Sequence, residues 1–402
     1  MISAKKRIVL AITLAEQGGV TSFVYNFAKW LKQADYEVTI LAGEGQWLFD
    51  RCAEAQIPLI RVPSLKRAIS PYYDLKAFFE LRRLFKTLKP DAIHLNSTKM
   101  GALGSLAIRF AYFDPGRLLR DACCVMRIPR VAYRIGGWIF LEPLPAWQKT
   151  LYRWIEKFTA RFKDVIICVH PGDKLLAEQV GIKPRQGIVS IPNGIDFSAF
   201  SQNLLARDQA RQTLGLDPGA TVFGTIANFY PAKDLPHYLE ACALVAKEKP
   251  EAYFVIIGDG SERLQIERRR TELGLTDRVI LAGSIDNAPR LLNAFNAFVL
   301  PSVKEGMSWS LLEAMAAGLP CVATDVGANK WMLGEAGWIV PAHDPAALSK
   351  AMLSAVKNPG EAQIRGLRLA ERVQRDFPLE KTYRSNAAAL SFTSSTPYIS
   401  SW

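Results

Sequence analysis

Between Pro301 and Pro320 the chain reads PSVKEGMSWSLLEAMAAGLP, with Glu305 and Glu313 eight residues apart. The apolar run Phe298–Leu300 precedes this stretch and a helical pattern follows from about 310. One carboxylate therefore falls on a strand-to-helix turn and the other on the helix that the turn opens. The first N–H groups of a helix lack intrahelical acceptors, and with the helix dipole they hold an anion. Glu305 stands before such an anion and Glu313 beyond it. A nucleotide sugar has that order of parts: sugar hydroxyls, diphosphate, ribose hydroxyls. Carboxylates are strong acceptors for vicinal diols. A second reading needs no ligand. Ser310-Leu-Leu-Glu313 matches a capping box, in which Glu313 returns to the Ser310 backbone N–H and stabilises the helix by about 1 kcal/mol. The stretch alone leaves both readings open.

The surrounding elements must position these groups. Short apolar runs alternate with helical patterns, which predicts parallel α/β architecture. In the first half, strands are expected at Ile8–Leu14, Val38–Leu41, Leu59–Val62, Ala92–Leu95, Val131–Ile135, Val165–Val169 and Ile188–Ile191. The second half restarts the pattern at Val222–Ile226, Phe254–Ile257, Val279–Leu281, Phe298–Leu300, Val322–Thr324 and Trp338–Val340. Helices are expected at 235–247, 261–273, 310–317, 345–357 and 361–374. The run Ile191-Pro-Asn-Gly-Ile-Asp196 carries turn chemistry and reads as a hinge. The expectation is two doubly wound, Rossmann-like domains facing across a cleft, at 1–194 and 195–375. Residues 376–402 then return to the first domain, with a poorly ordered Ser/Thr-rich tail after about 391. Ligands in such folds bind outside the carboxyl ends of the strands.

Charge separates the halves. The 402 residues carry a net +12, and the stretch to residue 195 holds 29 basic and 16 acidic side chains. A basic first half and a near-neutral second half point to different partners. The composition excludes a disordered chain, a collagen and a disulfide-stapled scaffold. Cys52, Cys123, Cys124, Cys168, Cys242 and Cys321 form no metal-spaced set, so they read as reduced thiols, with Cys123-Cys124 in the core. Neither a cleavable leader nor an apolar run of about 18 residues is evident, so a cytoplasmic protein is expected. Trp147–Lys163 reads as one helix, with Lys149, Arg153, Lys157 and Arg161 in a stripe. Trp147, Leu151, Trp154, Ile155, Phe158 and Phe162 form the adjoining face. A second basic helix spans about 74–89, with Arg82, Arg83, Lys86 and Lys89. Either these apolar faces pack into the domain core, or they rest on an anionic bilayer surface.

The block EGMSWSLLEAMAAGLPCVATDVGANK resembles the signature of the retaining GT-B glycosyltransferases of glycosyltransferase family 4. Further similarities occur in order at Gly18-Gly19-Val20, His94–Gly101, Ile191–Asp196, Ile226–Lys233 and Ile256–Gly260. The resemblance spans about 7–375 and is most specific at 305–329. It implies that Glu305 binds donor-sugar hydroxyls beside the reacting carbon. The N–H groups of Gly306, Met307 and Ser308 would meet sugar and phosphate, Glu313 the ribose, and Lys233 the diphosphate. Gly18 and Gly19 would let backbone approach phosphate or acceptor closely. Three positions depart from the pattern: Asn228 replaces an arginine, Gly136 a histidine, and Trp309 a small or polar residue. The arginine's loss leaves Lys233 to act with Arg263 or another base.

The implied activity is transfer of a hexose-type sugar from a nucleotide-sugar donor to a saccharide or lipid-linked acceptor. Neither a cofactor nor a metal is expected, since no Asp-x-Asp pair stands at a strand end in the matching region. The protein would be peripheral on the inner membrane face, with weak bilayer contact and no nucleic-acid partner. The alternative is another GT-B-type enzyme, such as a sugar-nucleotide epimerase or a phosphorylase. A nicotinamide dehydrogenase is excluded because the first turn, Glu16-Gln-Gly-Gly-Val20, lacks G-x-G-x-x-G. A nucleic-acid binder leaves the 305–313 block without a purpose. His94, His170, His237 and His343 show no catalytic spacing, and Asp234 reads as solvated.

Overall fold

The structure is a computed structural model that describes residues 5–112 and 128–391. Thirteen strands appear among them: β1 (Arg7–Leu14), β2 (Glu37–Glu44), β3 (Leu59–Arg61), β4 (Ala92–Asn96), β5 (Arg130–Ile135), β6 (Val165–Cys168), β7 (Gly187–Ser190), β8 (Thr221–Ile226), β9 (Ala252–Ile257), β10 (Val279–Gly283), β11 (Ala297–Leu300), β12 (Cys321–Thr324) and β13 (Trp338–Val340). They form two sheets, ordered β3-β2-β1-β4-β5-β6-β7 and β10-β9-β8-β11-β12-β13. Their pairings are parallel. Strands covered on both faces need continuous apolar runs rather than alternation. β1 and β4 supply them, with Ile8–Ile12 and Ala92–Leu95 buried. The stripe on helix Gly19–Gln33 buries Phe23, Val24, Phe27 and Leu31.

The chain divides into two compact units, one reaching Pro192 and resuming at Thr382, the other spanning Asn193–Lys381. The return expected at 376 thus falls six residues later. Ile195 explains the delay, because its N–H donates to Phe377 O at 2.9 Å and its carbonyl accepts from Leu379 N at 3.1 Å. From Thr382 onward the side chains of helix Leu379–Ala389 engage the first unit. Asn386 Oδ1 meets His94 Nε2 at 3.1 Å, and Tyr383 packs on Phe23, Phe27 and Trp30. His94 is a buried structural residue; burial chiefly, and then Arg134, pulls its imidazole down to about 3.

Each sheet has a switch point, where strand order reverses: β1 beside β4 in the first unit and β8 beside β11 in the second. Cys52, Cys168, Cys242 and Cys321 are buried free thiols. Cys123 and Cys124, and the tail from 392, lie outside the described residues.

Candidate active site

Neighbouring strands β8 and β11 deliver the two loops that carry Lys233 and Glu305. After β8 the chain makes a 3₁₀ turn, Pro231–Lys233. The Val303 N–H donates to Ala232 O at 2.9 Å and joins the two loops. Lys233 Nζ then lies 2.5 Å from Glu305 Oε1. Ser302 Oγ donates to the same oxygen at 2.7 Å, and Ser302 O accepts from Thr324 Oγ1 at 2.5 Å. Both contacts on Glu305 fall on Oε1, so a fixed carboxylate stands beside a fixed ammonium at the switch point. The sequence assigned these residues to separate ligand groups; their direct pairing is new.

Beyond Glu305 the backbone enters helix Trp309–Ala316. Ser308 is its N-cap, accepting from Leu311 N at 3.3 Å. Ser310 is therefore already inside the helix, and the Ser310–Glu313 capping box does not form. Among the described residues the N–H groups of Gly306, Met307 and Ser308 reach no backbone acceptor. Asn193 braces this turn from within the same unit: its Nδ2 donates to Met307 O at 3.0 Å. Gly327 presses on it from the other side. Its φ is +54°, and an added Cβ would lie 2.3 Å from Glu305 O. Gly327→Ala should therefore lose about 1–3 kcal/mol of stability and most activity together. Thermal unfolding and a transfer assay check both, and a variant with normal melting and turnover would contradict the packing argument.

Glu313 keeps part of its side chain accessible. Its carboxyl is nevertheless enclosed, and desolvation pushes it from 4.5 up to about 8. A carboxyl left in that state without a capping duty is suited to accept hydroxyl donors from a ligand.

The remaining candidates divide. Gly18, the N-cap of helix Gly19–Gln33, and Gly19 belong to the first unit. Gly18 has an extended φ of 178°, and an added Cβ would meet open space, so protein packing does not require glycine there. Asn228 is exposed. Arg263 is tied to Asp259 at 3.2 Å and to Glu267 at 2.6 Å, which engages the base considered as a partner for Lys233. Gly258, at φ +142°, is required by its neighbour: an added Cβ would lie 2.0 Å from Ala227 O. Trp138 is buried and donates to Asp173 O at 2.9 Å. Trp309 is half-buried at the helix start. Asp234 is buried, not solvated, and faces His237 and His343. Sequence reasoning missed Ser302, Asn193 and Gly327. Asn193 lay in the Pro-Asn-Gly run that read as a hinge, Gly327 lay inside the signature block without a role of its own, and Ser302 had no signal.

The two basic helices of the first unit divide on the core-packing alternative: Pro71–Leu88 packs Ala77, Leu81 and Phe85 into the core, whereas the other leaves much of its apolar side outside. Helix Ala146–Ala160 ends three residues before Lys163 and buries Glu156, Thr159 and Ala160. Glu156 needs that position because it pairs with buried Lys163 at 3.0 Å. Part of the aromatic side is turned outward, with Trp147 66%, Leu151 47% and Trp154 61% exposed, while Ile155, Phe158 and Phe162 are half-buried. On helix Pro71–Leu88, Tyr72, Leu75 and Phe79 are exposed, as is Phe110 nearby. No helix among the described residues is long and apolar enough to cross a membrane.

Two family models match the chain: "Glycosyl transferase 4-like domain" over 18–194 and "Glycosyl transferases group 1" over 220–358. An Escherichia coli protein named UDP-Gal:alpha-D-GlcNAc-diphosphoundecaprenol alpha-1,3-galactosyltransferase is 29% identical over 75% of each chain. The E. coli O-antigen biosynthesis glycosyltransferase WbnH is 25% identical over 80% of this chain and 82% of its own. Among solved structures, Anabaena Alr3699/HepE in complex with UDP-glucose superposes with a TM-score of 0.78 at 18% identity, covering 96% of this chain and all of that one. That likeness carries the two-domain GT-B fold. The epimerase and phosphorylase alternative finds no such support. The signature block, the two matched domains and the relatives agree: the chain belongs to the group 1 glycosyltransferases, glycosyltransferase family 4.

Proposed function

We propose that this glycosyltransferase moves a hexose from a UDP-sugar to a lipid-linked saccharide, with retention of anomeric configuration and no metal at the diphosphate. The Lys233–Glu305 pair at the β8/β11 switch point carries the reading. In this account the diphosphate enters beside Lys233 and against the free N–H groups of Gly306, Met307 and Ser308. These donors are in place before charge develops on the departing nucleotide, which is where preorganised electrostatics contribute most. Glu305 then holds sugar hydroxyls and Glu313 the ribose diol. Fixed cationic and N–H donors take the part that a metal plays elsewhere, so Mg2+ or Mn2+ added to chelated enzyme should leave turnover unchanged. Turnover that appears only with either ion would contradict this.

The relative that acts on a diphosphoundecaprenol-linked sugar supports the acceptor class. So does the outward aromatic face flanked by exposed Arg153, Lys157 and Arg161. Each basic residue near an anionic surface contributes about 1 kcal/mol. The protein should co-sediment with phosphatidylglycerol vesicles at low salt and detach at high salt, as expected for a site on the inner membrane face. Trp147→Ser/Trp154→Ser should lose most of the binding; binding indifferent to salt would defeat the electrostatic account.

A thermal-shift comparison of UDP, GDP, ADP and CMP tests the donor. UDP at 100 times its dissociation constant stabilises by about 2.7 kcal/mol. A larger shift with another nucleotide would overturn the choice of base.

A further inference from the structure

Asp234 occupies the N-cap of helix Leu235–Glu248, a position where an aspartate normally accepts from the first helical N–H groups. Here it makes no such bond. Its two carboxylate oxygens turn instead to two imidazoles: Oδ1 lies 2.6 Å from His237 Nδ1 and Oδ2 lies 3.3 Å from His343 Nδ1. His343 comes from the segment after β13, more than a hundred residues away in sequence, and the next residue, Asp344, caps its own helix by accepting from Ala347 N at 2.9 Å. The two rings meet edge-on with centroids 5.3 Å apart.

We infer that Asp234, His237 and His343 form a site for a borderline divalent cation of the Zn2+ class. One donor atom from each residue lies within 4.8 Å of the other two. Metal–ligand bonds of about 2.0–2.1 Å place tetrahedral ligands about 3.3–3.4 Å apart. The spacing from His343 Nδ1 to Asp234 Oδ2 already has that value, while His237 Nδ1 meets the other oxygen, Oδ1, at 2.6 Å. A second observation points to a cation ligand. Asp234 Oδ2 is buried without a hydrogen-bond partner, and so is Oε2 of Glu262. Two nitrogen ligands and one oxygen favour Zn2+, Co2+ or Ni2+ over Mg2+, which prefers an all-oxygen octahedron. His237 and His343 keep 39% and 63% of their side chains exposed, which leaves the remaining positions to water. Because Asp234 directly follows Lys233, a metal here fastens the Pro231–Lys233 turn. It leaves the Lys233 ammonium, paired with Glu305, outside the coordination set. The inference stands apart from the proposed donor chemistry, since the ions differ in class.

Cobalt titration of the full-length protein, stripped of metal beforehand, tests the site. One equivalent of Co2+ should give visible bands of a four- or five-coordinate ion. Zn2+ at about 100 times its dissociation constant should raise Tm by roughly 5 °C or more. His237→Ala and His343→Ala should each lose both signals while melting, without metal, close to wild type. The chain has only two other histidines, His94 and His170, and both are buried, so surface imidazoles elsewhere cannot produce the result. Absence of the bands and of the shift, their survival in both variants, or intense near-ultraviolet thiolate bands would overturn the assignment.

Discussion

Replacing Lys233 with alanine should lower turnover by about 10²–10³-fold, with most of the loss in kcat. The ammonium sits in a turn fixed by the Ala232–Val303 hydrogen bond, beside a carboxylate that is itself fixed by Ser302. Such a charge does not reorganise as the nucleotide departs, so its removal is felt in the transition state rather than in initial binding. The variant also strands Glu305, whose side chain is 9% exposed, without its cation. An uncompensated buried charge costs stability, so Lys233→Ala should melt several degrees lower. Adding Glu305→Gln removes that charge and should restore the melting temperature while leaving turnover low. If the double variant regains activity together with stability, Lys233 serves only to neutralise Glu305, and the electrostatic account fails.

Glu313→Gln should separate ligand binding from folding in the opposite direction. The carboxyl is pushed up to about 8 in the fold, against an ordinary 4.5. Between those values the folded protein holds a proton that the unfolded chain has released, so stability falls as pH rises through that window. Above the folded value the penalty is constant. Glutamine carries no such penalty and should raise Tm by a few degrees at pH 8 while changing little at pH 4.5. Nucleotide affinity should meanwhile fall about 10–100-fold, because a hydrogen bond from the ribose to a charged acceptor contributes roughly 1.5–3 kcal/mol. The wild-type affinity should rise from pH 6 to 8 as the carboxylate forms, and the glutamine variant should lose that slope. Calorimetric titration and thermal unfolding across pH provide both readings. A variant that melts lower at every pH and binds nucleotide normally would return Glu313 to a purely structural role.

The strands were legible because parallel sheets buried on both faces write themselves as uninterrupted apolar runs, and all thirteen expected positions carry one. Helix Pro345–Lys357 was legible to the residue, since Asp344 caps it and Pro345 starts it. The catalytic candidates were legible as types but not as partners. Lys233 and Glu305 are 72 residues apart, and only the β8–β11 adjacency brings them together. Glu313 was ambiguous because a capping box and a ligand acceptor share one pattern; the cap two residues earlier, at Ser308, is set by backbone geometry. Asp234 misled for a related reason. Beside a lysine it reads as solvated, and nothing local announces that His343 comes to meet it. Helix Ala146–Ala160 misled through its pattern, since a wide aromatic stripe usually marks the buried side. Here the Glu156–Lys163 pair takes the interior and the tryptophans face out.

The most direct measurement is the anomeric configuration of the product formed from a UDP-α-hexose and a diphospholipid-linked saccharide in the presence of chelator, read by NMR alongside released UDP. The account predicts one UDP per transferred sugar, an α-linked product, and loss of both signals in Lys233→Ala. A β-linked product, or transfer unchanged by removing Lys233, would contradict it.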